Sequence, residues 1–248
     1  MSKNHFRDNR INIQNAFLSE DFLIPLINED SYKITEKKAK FEKLGNVTIT
    51  GIPCSEDDIR PKSWILDLEI DKPVFANPQF TKTTEKALIV LSEKMLWIFM
   101  IEMKNSLQPH NSDKQEGIKA IQEKFKHTIG RVLLLLPVYI FGKSYNDIPI
   151  RFKGIVLYQN DNNLVTAAKT DKKIEVDNLY QIFSGQKQRL SLCDAFGTTH
   201  EVEIYFKKGK EPFEVEFKDF FNDKNEYLAA INPKDDTTCP IIKPLPSE

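Results

Sequence analysis

Apolar residues fill two runs between Glu85 and Lys104 (EKALIVLSEKMLWIFMIEMK), with polar residues gathered at the centre and at the two ends. This pattern predicts a β-hairpin. With Glu93 and Lys94 as the central turn residues, antiparallel pairing sets Ser92 opposite Met95, Ile89 opposite Ile98 and Glu85 opposite Glu102. Upstream, Ile13, Phe17, Leu23 and Leu26 punctuate a polar stretch from Ile11 to Ile27 and suggest a helix, as does the Lys-rich Thr35 to Leu44, stopped by Gly45-Asn46. Val47 to Thr50 and Trp64 to Ile70 read as strands; in the second, Trp64, Leu66, Leu68 and Ile70 alternate with Ile65, Asp67 and Glu69, as in a half-buried strand with one wet side. After the hairpin, Ile118, Ile121, Phe125, Ile129 and Val132 fall at spacings of three and four within Asp113 to Leu136, an amphipathic helix that Pro137 is expected to end. Phe152 to Tyr158 reads as a short buried strand. Further on, Val202, Ile204 and Phe206 alternate, then Phe213, Val215 and Phe217, with Lys208-Gly209-Lys210 between, so a second hairpin is expected.

Composition narrows the class. A chain of 248 residues can bury a sufficient core without staples. Cys54, Cys193 and Cys239 are odd in number and widely separated, with no CxxC pair, which argues against a disulfide framework or structural zinc and for a reduced cytoplasmic protein. The N-terminal MSKNHFRDNRINIQ has no apolar stretch of signal-peptide type, and the longest apolar run, Val132 to Phe141, is interrupted by Pro137, so no membrane association is expected. Without a secretory signal, the sequon at Asn46 has no consequence. The net charge of −1 excludes a strongly basic nucleic-acid coat and leaves room for a local basic groove. The expected organisation is an α/β core with N-terminal helices over residues 1–160, a β-rich extension over 161–231 and a Pro-rich tail over 232–248.

The hairpin carries the candidate chemistry. Opposed residues leave the same sheet face with Cβ atoms about 5 Å apart, and Lys104 shares the face of Glu102 by the period of two. Along that face run Ile98, Met100, Glu102 and Lys104, apolar through the middle and charged at the end. Opposed carboxylates repel unless compensated, and a hard divalent cation with oxygen ligands compensates them. Mg²⁺, or Mn²⁺, would neutralise charge on a phosphate and lower the pKa of a water, and Lys104 would orient or deprotonate that water or stabilise the developing charge. Phosphodiester hydrolysis is the reaction this trio suits. The alternative for Glu102 and Lys104 is a strand end emerging into solvent as an exposed ion pair worth roughly 0.2 to 1 kcal/mol.

The segment Ile98-Phe99-Met100-Ile101-Glu102-Met103-Lys104 resembles the E-x-K strand of the PD-(D/E)XK nuclease superfamily. Thr35 to Tyr158 follows the order of that restriction endonuclease-like core: helix, three-stranded meander, helix, strand, here with a C-terminal β-hairpin extension. The resemblance implies a Mg²⁺-dependent endonuclease acting on nucleic acid, DNA in preference to RNA, with Glu102 a metal ligand, Lys104 the catalytic lysine, Glu85 standing where the family has Asp, and a possible homodimer. A catalytically inactive binding or scaffold protein on the same fold is the competing expectation, motivated by the near-neutral charge.

Other candidates are weaker. Asp67, Glu69 and Asp71 share one strand face and offer a substitute ligand for Glu85. Lys119, Gln122 and Lys126 lie on the helix after the hairpin, where this superfamily often places a polar residue toward substrate; a solvated face is the simpler explanation. Lysines 37, 38, 40 and 43, and lysines 207, 208 and 210, could line a nucleic-acid groove. The four histidines share no spacing. Pro137 to Ser144 ends in Gly-Lys-Ser but lacks the glycine-rich backbone that wraps phosphates.

Overall fold

The computed structural model describes residues 23–26, 28–35, 44–54, 63–68, 83–92, 95–107, 118–139, 149–162, 188–193, 197–210 and 212–231. The fold is mixed α/β. Three strands, β4 (Ser63–Asp67), β5 (Lys86–Leu91) and β6 (Leu96–Ser106), form an antiparallel meander. Helix α1 (Ile118–Tyr139) then carries the chain to β7 (Ile150–Asn160), which pairs parallel to β6. A parallel neighbour cannot be reached by a tight turn, so the helical crossover follows from the pairing. Strands β9 (Thr199–Lys208), parallel to β7, and β8 (Gln188–Cys193), antiparallel to β9, extend this sheet, and β1 (Leu23–Pro25) closes its other edge against β4. The order across the sheet is β1-β4-β5-β6-β7-β9-β8. A second sheet joins β2 (Tyr32–Thr35), β3 (Asn46–Thr50) and β10 (Phe213–Glu216) in the order β10-β3-β2.

Each face of the large sheet is covered. On one face Ile121, Phe125, Ile129 and Val132 of α1 pack on Ala87, Ile89, Ile98, Met100, Val156 and Ile204. On the other, Leu88, Val90, Phe99, Ile101 and Leu157 meet Ile34, Val47 and Ile49 of the second sheet, with Phe217 and Phe220 of the 3-10 turn Phe217–Phe220 and Ala230 of α2 (Lys224–Ile231). Both faces of the central strands are therefore dry, and β5 is buried at every position. Gly154 in β7 makes room for α1: a Cβ there would stand 2.7 Å from the Phe125 ring, so a glycine lets the helix seat directly on the sheet. Beneath the other face Lys153, 2 % exposed, binds Glu226 of α2 at 2.9 Å and Glu203 of β9 at 3.2 Å and donates to the Phe220 carbonyl at 3.0 Å. All its donors are used, which lets a buried ammonium tie the C-terminal segment to the sheet instead of destabilising it.

Several expectations change. Leu23–Pro25 is an edge strand, not the end of a helix; Pro25 lacks a backbone donor, which only an edge tolerates. Residues 11–22 of that expected helix lie outside the described residues, as do 36–43 of the second, whose first residue, Thr35, ends β2. Strand β4 has no wet side, because the second sheet covers the face of Ile65 and Asp67; Asp67 is 8 % exposed and paired with Lys86 at 2.6 Å. Helix α1 continues past Pro137 to Tyr139. The N–H that proline lacks falls in the last turn, where the helix can lose one bond without breaking.

The expected hairpin of Val202–Phe206 and Phe213–Phe217 does not form. Strand β9 joins the large sheet and β10 pairs parallel to β3 in the other layer. Between them Gly209 passes against the Phe213 ring, where a Cβ would meet it at 2.3 Å. The antiparallel neighbour of β9 is β8 instead. Of the cysteines, Cys54 is a free thiol, Cys193 lies in β8, and Cys239 lies outside the described residues with the rest of 232–248. Among the described residues, no helix is long and apolar enough to cross a membrane.

Candidate active site

The predicted register of the β5–β6 hairpin is the observed one. Ile89 pairs with Ile98, Ser92 N–H donates to the Met95 carbonyl at 3.0 Å, and Lys86 pairs with Ile101, so Glu85 and Glu102 oppose each other one step beyond. The turn residues Glu93 and Lys94 lie outside the described residues. Glu85, Glu102 and Lys104 share the face of Ile89, Ile98 and Met100, the face that α1 covers. They sit toward the carboxyl end of β6, beside the carboxyl ends of the parallel β7 and β9, the usual position for a ligand site in an open α/β sheet.

The site is more enclosed than a strand end emerging into water. Glu102 is fully buried and Glu85 is 7 % exposed. Lys104 Nζ approaches Glu102 Oε1 at 2.5 Å. A fourth residue arrives from α1: Lys124 Nζ lies 2.5 Å from the same Oε1 and 3.6 Å from Glu85 Oε1. Glu85 Oε2 accepts the Met103 N–H at 2.8 Å, which orients its carboxyl beside the strand where backbone pairing with β5 has ended. Glu102 Oε2 is buried and has no hydrogen-bond partner. A buried acceptor left in this way is costly, on the order of 1 to 3 kcal/mol, and the neighbouring Glu85 carboxyl, its pKa raised and so able to carry a proton, is the group beside it that can share a hydrogen bond with Glu102.

Helix α1 is registered by a polar ridge at steps of four and three. Lys124 reaches the carboxylates, Thr128 Oγ1 accepts the Thr84 N–H at 2.9 Å, and Arg131 donates to the Leu68 carbonyl at 3.1 Å. These anchors hold Lys124 over the end of β5. Lys124, and not the expected Lys119, Gln122 or Lys126, is the residue of this helix that reaches the carboxylates. Lys126 instead pairs with Glu123 at 3.1 Å on the outer surface, and the Lys119 side chain lies outside the described residues. A signal was present: Lys124, Thr128 and Arg131 border the apolar stripe at i, i+4 and i+7.

Asp67 does not substitute for Glu85, because it shares the opposite face with Lys86. Glu69 and Asp71 lie outside the described residues, as do lysines 37, 38, 40 and 43. Lys207 and Lys208 are paired with Asp219 at 3.2 Å and Asp161 at 2.6 Å, which leaves less free charge for a groove there. Among the described residues, no group of three or more His, Cys, Asp or Glu side chains is placed to hold a metal ion, so a cation here would rely on the two glutamates.

The electrostatics of the glutamates diverge. Burial and then the negative charge of Glu102 push Glu85 well above the ordinary carboxyl value of 4.5. Burial alone would raise Glu102 as well, but Lys104 and Lys124 outweigh it and hold that carboxylate low. The Lys124 ammonium is opposed by burial and stabilised more strongly by Glu85 and Glu102, with a net upward shift. A carboxyl whose folded pKa is raised contributes stability below its unfolded value, and that contribution is lost as pH rises through the folded value, at about 1.4 kcal/mol per unit of displacement. Glu85→Gln, which keeps a neutral group there, is therefore expected to match the wild type in melting temperature near pH 4.5 and exceed it increasingly toward neutrality, in chelator-treated protein. Parallel melting curves across that range would show that Glu85 is not strained by its surroundings.

The fold and the quartet together define a mixed α/β protein with an acidic and basic cluster buried beneath its crossover helix. No family model matches the chain, and neither a curated protein nor a solved structure matches it.

Proposed function

We propose that this chain is a divalent-metal-dependent phosphodiesterase acting on nucleic acid, DNA in the first instance, on a restriction endonuclease-like core. The observation that carries the reading is the convergence of Glu85, Glu102 and Lys104 on one covered sheet face with Glu102 Oε2 buried and unpartnered. Meander, crossover helix and parallel strand agree with the later part of the element order that the resemblance implies, and the E-x-K segment lies on β6, the strand before the crossover helix.

The donor set suits a hard cation. Two glutamate carboxylates, with no sulfur or imidazole, match Mg²⁺ or Mn²⁺, which retain waters and accept phosphate oxygens as further ligands. Glu85 and Glu102 would hold the ion, which supplies Lewis-acid polarisation of the phosphoryl group and makes a water more acidic. The chain's own residues do the rest. Glu102, kept ionised by its lysines, provides a permanent negative charge without first losing a proton. Lys104, tethered two residues along the same strand, has a side chain 32 % exposed, from which its ammonium can orient the attacking water and bind the charge that develops on phosphate. Helix α1 shields the carboxylates from bulk water and so strengthens each of these interactions. Water adds to phosphorus, the ester oxygen leaves with a proton, and a phosphomonoester and an alcohol result.

Cleavage of end-labelled single-stranded and duplex DNA with Mg²⁺ or Mn²⁺, against a chelator control, tests the proposal. Metal-dependent scission is expected. No scission of either substrate, together with no heat of Mn²⁺ binding, would overturn it. One observation favours a second reading, an inactive nuclease-fold binding or scaffold protein: Lys104 and Lys124 already pair with Glu102, and Lys124 also stands 3.6 Å from Glu85, so the cluster has internal partners as a structural element. Duplex binding without scission or metal uptake would be its signature.

A further inference from the structure

Lys124 is the one side chain of the quartet that spans both carboxylates, at 2.5 Å from Glu102 and 3.6 Å from Glu85, whereas Lys104 pairs with Glu102. Both acceptors belong to residues at least nine-tenths buried. A positive group between two opposed buried carboxylates stands where a shared cation belongs. Its backbone is fixed independently: Thr128 and Arg131, one and two turns on, anchor the helix to Thr84 and Leu68. Its side chain is 26 % exposed, so the ammonium has a route out that needs rotation of the lysine stem and no movement of the helix.

We infer that Lys124 is a tethered counter-ion occupying the cation position of the site, that a divalent ion enters by displacing it, and that the displaced ammonium then binds a non-bridging phosphate oxygen of the substrate. The inference rests on the metal-dependent reading above. Charge supports it. Two ammoniums already face the two glutamates, and burial favours the neutral form of Glu85, so a doubly charged ion added without displacement would leave adjacent like charges in a site of low dielectric. Displacement separates the lysine from the ion and turns an unneutralised ammonium outward, complementary to a phosphate carrying its own negative charge. The Lys124 ammonium thus fills the buried pair when metal is scarce and helps hold the substrate when metal is present.

The test uses the full chain. Lysines are acetylated with a limiting reagent in chelator, in saturating Mg²⁺, and in Mg²⁺ with a phosphorothioate oligonucleotide, and the modified positions are quantified by peptide mass spectrometry. Lys124 is expected to react slowly in chelator, at least about fivefold faster with Mg²⁺ once freed from its carboxylates, and slowly again with the oligonucleotide. Lys126, paired with Glu123 on the outer surface, serves as the internal control and should not change. In parallel, Lys124→Met is expected to bind Mn²⁺ at least about tenfold more tightly than the wild type, the competing cation being gone. Metal binding with unchanged Lys124 reactivity would overturn displacement and leave the metal-dependent reading standing. Absence of Mn²⁺ binding in both wild type and Lys124→Met would overturn both. If Lys124→Met does not fold, the labelling of the wild type decides alone.

Discussion

Glu102→Gln is expected to abolish metal-dependent scission, lowering the single-turnover rate by about 10² to 10⁴-fold while the protein remains folded. The amide is nearly isosteric, so the packing of β6 against α1 and β7 is kept. What disappears is the ionised charge that Lys104 and Lys124 hold in place, and with it the ligand that makes a two-carboxylate cation site feasible. Breaking a buried ion pair ordinarily costs about 3 to 5 kcal/mol because a charge is left stranded. Here both partner lysine side chains are a quarter to a third exposed and can turn toward water, so the stability loss should stay near 1 kcal/mol. Lys104→Ala separates the roles: it should lower the rate comparably but leave the Mn²⁺ affinity close to wild type, whereas Glu102→Gln loses both. Rates measured beside calorimetric Mn²⁺ titrations make the comparison. Scission by Glu102→Gln at the wild-type rate would remove this residue from the chemistry.

Phe99→Ala should have the largest effect on stability, with a loss of about 3 to 5 kcal/mol and no change in any charged group. Phe99 is fully buried on the face of β6 opposite the quartet. Its ring meets Phe217 at 5.0 Å and Phe221 at 5.6 Å edge to face, Phe220 at 5.9 Å tilted, and Trp97 at 6.3 Å stacked. Truncation opens a cavity at the junction of the large sheet and the C-terminal segment that carries the 3-10 turn and α2. Against a typical total of about 5 to 15 kcal/mol, such a loss is a third or more for most domains. Urea denaturation of wild type and variant, with the midpoint shifted and the slope unchanged, is the expected result. A loss below about 1 kcal/mol would show that the aromatic cluster repacks and that the second layer is not coupled to β6 through this ring.

These two residues stand three apart on β6 with opposite roles, and the reason was partly legible in the chain. A period of two places Glu85, Glu102 and Lys104 on one face and Phe99 on the other, and the length of the two apolar runs sets the register that opposes the glutamates. Both properties are local, so sequence alone determined them. The apolar spacing of α1 and the brevity of Phe152 to Tyr158 likewise announced a helix and a strand, and both are present.

Tertiary structure decided what local pattern could not. The alternation of Val202–Phe206 and Phe213–Phe217 fits a hairpin as well as it fits two strands in separate layers; only the availability of β7 as partner for one and β3 for the other resolved it. Alternation in β4 reported that Asp67 and Leu66 face opposite ways, but not that the second sheet would bury the Asp67 side. Lys124 became part of the site because Gly154 lets α1 sit close and Thr128 and Arg131 fix its rotation, contacts that bridge more than twenty residues of chain. Period and register are set by neighbours in sequence, and so the chain displayed them; which face is dry and which lysine meets a carboxylate depend on the partner each surface finds, and that is settled only when the layers pack.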